Sequence, residues 1–466
     1  QDLDIRTNDT IRFRFTQKRQ LEFTDAMERN IRIGFEAGEF ANGQNNVVIG
    51  YQALFSNSAS SAINNNVFVG AHVGQNLSFG QYHTVIGYNS GSNMTNAVGN
   101  SFYGSSTGNN TTTGSHNTII GYGSGFSNTT GQYNTFTGRS TGSNNQAGSN
   151  NTAYGAAALF SNTLTSNLVA IGDSAMHSNT SGQFNTAVGS KALRNNTSHD
   201  KNTAIGYHAM IDHTGGNNTA VGAFALESSG SGFDNTAVGN SALNNTAGGY
   251  ENVAVGSNAL LVNSTGHENV AVGKDALQAN IIGDRNIAVG KRALYLTASR
   301  DDTIAIGQQS QENLATGDKN VALGNLALQS NTSGSDNIAI GHEAMANGNS
   351  PGNNIALGRR SLFQSTSTSN VCIGNFSGSV LTSGSGNTIV GDAAGNNLVT
   401  GTFNTYLGRL SRGGSAALVN ATAIGARSQV NANNALVLGS IAGLNGSAVT
   451  SRVGIGTPSP LFNLHV

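Results

Sequence analysis

The chain has 466 residues, among them 62 Gly, 3 Pro, one Cys and no Trp; only 10% are charged and the formal net charge is −1. A hydrophobic fraction of 37% is low for packed globular domains, and the charge that sustains disorder is missing as well, which leaves a turn-dense, repetitive all-β chain. Near-neutrality excludes a chain-level footprint for nucleic acid or anionic lipid, no apolar run reaches the roughly 18 residues of a membrane span, and Cys372 cannot form an intrachain disulfide.

The chain opens Gln1-Asp2-Leu3 with no initiator Met, which is read as the mature form of an exported protein. Residues 1–41 carry seven Lys/Arg and eight Asp/Glu, a density found nowhere else in the chain. Ile11, Phe13 and Phe15 alternate with Arg12 and Arg14, and Leu21 and Phe23 follow the polar Gln17-Lys18-Arg19, the pattern of a β-hairpin. Such a segment serves as a charged cap on the first coil of a solenoid, or as a docking surface for a partner.

From there the sequence is a repeat. A Gly preceded by two small or aliphatic residues recurs 25 times between Gly34 and Gly439, and 19 of the 24 spacings are 17 residues. With that Gly as position zero, position −4 is Asn in 20 repeats, the exceptions being His83, Leu168, Thr303, Ala421 and Ala435. Seventeen residues accommodate two strands of about five and two turns, at about 3.3 Å per strand residue, and are too few for a helical crossover. One repeat therefore reads as one coil of a parallel β-roll solenoid spanning residues 42–439, about 25 coils stacked about 4.8 Å apart into a rod near 120 Å long.

Residue size supports the stacking. Thirteen coils carry Leu or Met at +4, and twelve of those have Ala at −2; nine carry Gly at +4, opposite larger −2 residues such as Phe68, Phe102, Phe136 and Ile389. Large meets small, as expected when −2 and +4 share one close-packed layer, and Ala187, Leu193, Ala204, Met210, Ala237 and Leu243 are assigned to that core. Positions −3 and −1 then point away from it. The −1 residues Val188, Ile205, Val221, Val238, Val255, Val272, Val289 and Ile306 form an aliphatic stripe that needs a cover, either several identical chains meeting along a common axis or another segment of the same coil. The −4 residues Asn151, Asn185, Asn202, Asn218, Asn235, Asn252, Asn269, Asn286, Asn320, Asn337 and Asn354 are expected to stack as a structural amide ladder.

Residues 440–466 hold two of the three prolines and leave the 17-residue register, as a neck or linker would. Most of the ten His occupy variable turn positions, and His208 and His213, with Asp212 between, read as solvated turn residues rather than metal ligands. Gly-rich phosphate loops need a strand-to-helix context, and no helix is expected. The pattern therefore contains no catalytic, cofactor or metal site. The few charges on turns (Lys191, Lys274, Lys291, Arg292, Arg359, Arg360) point to no dominant electrostatic ligand. Thr at −3, which could array for ice or mineral binding, occupies fewer than half the coils.

The Asn-x-Ala-[Val/Ile]-Gly-x-x-Ala unit, clear in Asn185-Thr186-Ala187-Val188-Gly189, resembles the head repeat of YadA-like trimeric autotransporter adhesins. It is also similar to repeats of secreted Bacteroidota proteins and phage-type tail fibres. The start, Arg6-Thr7-Asn8-Asp9-Thr10-Ile11-Arg12-Phe13-Arg14-Phe15, is similar to the N-terminus of such Bacteroidota proteins, and Val453-Gly454-Ile455-Gly456-Thr457-Pro458 resembles the link before a fibre's coiled-coil or chaperone segment. The resemblance implies a left-handed roll, a homotrimeric rod and a non-enzymatic extracellular or cell-surface fibre or adhesin. Its implied partners are a surface receptor or glycan and end-to-end or lateral fibre neighbours; the alternative is the tail or receptor-binding fibre of a phage or contractile injection system. Within these residues the family's membrane-anchor barrel and heptad stalk have no counterpart.

Overall fold

The computed structural model describes residues 3–7, 10–15, 21–22, 30–39, 43–55, 63–228, 230–296, 299–349, 351–454 and 459–465, with the backbone alone up to residue 22 and at 465. The chain forms two compact units, Gln1–Gly230 and Ser231–Val466. Every described element is a strand or a turn. The protein is an all-β parallel solenoid with about 17 residues per turn.

In the first unit Leu3–Thr7 and Thr10–Phe15 pair antiparallel, and Leu21–Glu22 pairs antiparallel with the second of these, placing Phe15 opposite Leu21. The side chains there, and with them the choice between cap and docking surface, lie outside the described residues. The parallel ladder starts at Ile31–Ile33, within the segment assigned to the hairpin, because Ile31 N–H already bonds Asn46 O at 2.8 Å in the next coil. Twelve three-residue strands run from Ile31–Ile33 to Thr219–Val221 in this unit, and thirteen run from Thr236–Val238 to Leu436–Leu438 in the second, enclosing about 23 full turns.

Within each unit, neighbouring strands pair in parallel with equivalent positions opposed: Ala187 faces Ala204, and Ala254 faces Ala271. From Val47–Ile49 to Thr422–Ile424 each ladder strand alternates, with the −2 residue buried and its −3 and −1 neighbours facing out; at the ends of the ladder Arg32 is exposed and Val437 only partly buried. Beyond Leu438 the register ends, and Val453–Gly454 pairs in parallel with Leu464–His465. Residues 455–458 of the link motif lie outside the described residues.

Among the described residues the second strand expected in each coil survives only as short pairings in a few coils: Ile63–Asn64 pairs in parallel with Gly80–Gln81, and Arg412–Gly413 with Gln429–Val430. After the zero Gly the chain turns continuously, because alternate residues adopt the left-handed conformation: Lys191 at φ 59° and Leu193 at φ 50° after Gly189 at φ 136°. The segment still bonds along the stack, Leu193 N–H to Ala209 O and Leu260 N–H to Ala276 O, both 3.0 Å. Bonding between coils compensates for a backbone conformation that Leu and Met rarely adopt. The zero Gly is required sterically, since a Cβ at Gly189 would fall 2.3 Å from the Gly206 carbonyl oxygen.

The opposition of −2 and +4 in one layer is direct. A Cβ added at Gly74 would lie 2.4 Å from the Phe68 ring, at Gly142 2.6 Å from Phe136, and at Gly378 2.7 Å from Cys372 Sγ. Where −2 is Ala, the Leu or Met at +4 fills the same space: Ala187, Leu193, Ala204, Met210, Ala237 and Leu243 are all completely buried. Burial pushes the Cys372 thiol up to about 12, leaving a small apolar side chain without thiolate reactivity.

Candidate functional site

Two features run along each unit, an internal set of amide rows and an external strand face. The −4 row is built as the repeat implies. In the second unit Asn235 Oδ1 accepts the Asn252 backbone N–H at 3.0 Å and its Nδ2 at 3.1 Å, while Asn252 Nδ2 also donates to Gly266 O at 2.9 Å across the corner of the coil. The same linkage joins Asn252 to Asn269, Asn269 to Asn286, and Asn337 to Asn354. Asn320 Oδ1 accepts from the Asn337 N–H, and Asn286 Oδ1 from Thr303 N–H. In the first unit Asn185 Oδ1 accepts from Asn202 N–H at 2.8 Å, Asn202 Oδ1 from Asn218 N–H at 3.0 Å, and Asn151 Oδ1 from Leu168 N–H at 3.0 Å. Each amide thus satisfies a buried backbone donor in the next coil and closes its own corner, which an apolar residue cannot do.

A second amide row was missed by the sequence reading. Asn145 Nδ2 donates to Asn128 Oδ1 at 2.8 Å, Asn162 to Asn145 at 2.7 Å, and in the second unit Asn280 to Asn263 at 3.1 Å. These residues stand seven after the zero Gly, and their recurrence there was visible on the same alignment. His213 takes one place in this row. Read as a solvated turn residue, it is instead fully buried, with Nε2 at 2.6 Å from Asn218 Nδ2. His208 is separate from it, its Nδ1 at 3.2 Å from Glu227. His83, at −4, is likewise buried, Nε2 at 2.8 Å from Ala97 O and Nδ1 accepting Asn100 N–H at 3.1 Å, so that a ring stands in for an amide.

The external face is apolar. Of the predicted stripe, Ile205, Val255, Val272 and Ile306 are between 36% and 42% exposed, and Val188, Val221, Val238 and Val289 are half-buried. In the second unit every −1 residue of the ladder is Val, Ile or Leu, and from Val253 to Val371 every −3 residue is Val or Ile as well, making a band two aliphatic ranks wide. In the first unit Thr occupies most −3 positions, and Tyr103 and Tyr154 interrupt the −1 rank.

Charged groups sit on the turns and pair locally. Arg285 and Asp302 meet at 2.7 Å, and the hydrogen bond from Arg285 holds the Asp302 carboxyl below its usual range. Arg360 does the same for Glu343. Asp284, Asp301 and Asp318 extend a side-chain row in which each carboxylate accepts the backbone N–H one coil earlier, at 2.9 to 3.3 Å. Among the described residues no three His, Cys, Asp or Glu side chains come together as a metal-binding group, and no helix is long and apolar enough to cross a membrane. Compared with known families and curated proteins, the chain matches no family model and no curated relative.

Proposed function

We propose that this protein is a non-enzymatic extracellular structural fibre of the adhesin type, in which identical chains associate along their outward strand faces as a homotrimer. The observation that carries this reading is the two-rank aliphatic band on the outer face of the second unit. Monomeric soluble proteins rarely leave a contiguous apolar patch of more than a few hundred Å² in water. The band repeats at the rung spacing of a parallel sheet, about 4.8 Å, so the surface that matches it rank for rank is another copy of the same ladder. The trimeric state and the surface-attachment role come from the resemblance of the repeat to YadA-like heads. Light scattering on the full chain is expected to give three times the chain mass. The triple variant Val255→Lys, Val272→Lys, Ile306→Lys is expected to give a single-chain mass with unchanged strand circular dichroism. A wild-type chain that stays monomeric at tens of micromolar, well above the Kd of an ordinary stable oligomer, overturns the reading.

A further inference from the structure

Both amide rows of the first unit break at one level. Leu168 occupies −4 between Asn151 and Asn185 and is fully buried. It donates to Asn151 Oδ1 but returns no side-chain acceptor, and among the described residues the Asn185 N–H has no partner. The second row stops there too: Asn162 bonds back to Asn145, and no bond joins Asn179 to Asn162. The backbone follows. Gln146 and Ala147 N–H both reach Thr163 O, at 2.8 and 3.0 Å, and Thr180 and Ser181 N–H both reach Thr197 O, at 2.8 and 3.0 Å. Among the described residues the equivalent N–H groups of Thr163 and Leu164 make no bond, nor do those of Ser166 and Phe184, although Asn167 and Lys201 hold theirs one coil to either side. Even the adjoining strand bond lengthens, Val169 N–H to Asn185 O being 3.3 Å where Thr152 N–H to Leu168 O is 2.8 Å.

The coils therefore part at this corner, bridged only by Thr165 Oγ1 donating to Thr180 O at 3.3 Å among the described residues, and leave a cavity of about 500 Å³, lined among others by Thr163, Leu164, Thr165, Asn167, Gln183 and Phe184. We propose that this cleft is a binding site for a neutral saccharide. Its lining holds hydroxyls, two carboxamides and main-chain donors without coil partners, and no Lys, Arg, Asp or Glu. Orphaned main-chain donors favour a ligand dense in acceptor oxygens. Two apolar walls flank them, Phe184 58% and Leu164 65% exposed, and an aromatic ring beside amide and hydroxyl groups suits a sugar ring, which carries an apolar C–H face and an equatorial rim of hydroxyls. The absence of a basic side chain from the lining speaks against a polyanion. The site is confined to two coils of one chain and stands whether or not the chains self-associate.

Titration calorimetry of the full chain against cellotetraose, chitotetraose and maltotetraose, with a heparin tetrasaccharide as polyanionic comparator, tests this. At least one neutral oligosaccharide is expected to bind at a single site per chain. Phe184→Asn removes the ring while suiting the left-handed backbone at φ 57°, as Asn150 and Asn167 do at the equivalent positions, and is expected to weaken binding about tenfold. Leu168→Asn restores the missing amide, and is expected to close the corner, abolish binding and raise the unfolding midpoint. Binding by none of the neutral sugars, binding of heparin alone, or an affinity unchanged by Leu168→Asn overturns the proposal.

Discussion

An amide buried between two like amides is satisfied on both sides, and the stability of each coil rests on few such groups. Replacing Asn235 by Ala strands the Asn252 backbone and side-chain donors and opens the bond to Gly249 O, so a denaturant titration is expected to show a loss of about 1–3 kcal/mol. Gln311 shows the converse. It occupies the +4 core position that Leu and Met hold elsewhere, is fully buried, and among the described residues neither end of its carboxamide has a partner. Gln311→Met is expected to raise the unfolding free energy by about 1–3 kcal/mol, and a lowered midpoint would refute that account of the site. His83 adds a pH dependence. Burial pushes its pKa down from 6.5 to about 4, so between those values the unfolded chain binds a proton that the folded ring does not. Its contribution is full above pH 6.5 and is lost as pH falls through that window, about 3 kcal/mol in all for a shift from 6.5 to about 4. Unfolding free energies at about pH 7 and about pH 4 are expected to differ less in His83→Asn than in the wild type; equal acid sensitivity rules the mechanism out. The −4 exceptions were plain in the sequence, but their burial was not, because a His or Leu that replaces the amide carries no local sign of which neighbours enclose it.

Most coils consist of one three-residue strand and one left-handed turn, and the pairing of −2 with +4 across the interior makes each a two-residue packing unit. Phe136→Ala alone leaves a void, at a cost of about 3–5 kcal/mol. Gly142→Leu alone drives a side chain into the Phe136 ring and costs about 1–3 kcal/mol. The double variant recreates the Ala/Leu layer of its neighbour, where Leu159 already sits at φ 53°, so the two costs are expected to cancel in part, with a coupling of at least about 1 kcal/mol. Strict additivity in the double-mutant cycle would show that the layer is not shared. This layer was legible because volume compensation leaves a trace in residue identities. The shrinking of the second strand to short pairings in a few coils was not legible: left-handed backbone is ordinarily signalled by Gly or Asn, and here Leu, Met and Lys adopt it under the hold of hydrogen bonds to the next coil.

The two-rank band of the second unit is aliphatic rather than charged, so the proposed association through it would follow from burial more than from Coulomb attraction. The mass measured by light scattering is accordingly expected to be the same at about 0.05 and about 0.5 M salt, whereas assembly through the turn charges would weaken as the Debye length shrinks to a few ångströms. Dissociation on raising salt would redirect attention to the Asp and Arg rows on the turns. By itself the sequence determined the period, the parallel stacking of equivalent positions, the inward layer and the −4 amide row, since a residue recurring every 17 places must meet its own kind in the next coil. Only the tertiary structure decided that the second half of most coils turns rather than extends, that the ladder begins at Ile31, and that the coils part beside Leu168. Those outcomes depend on whether a backbone N–H finds an acceptor one coil away, a contact that repeat spacing makes available but that only the folded arrangement completes or leaves open.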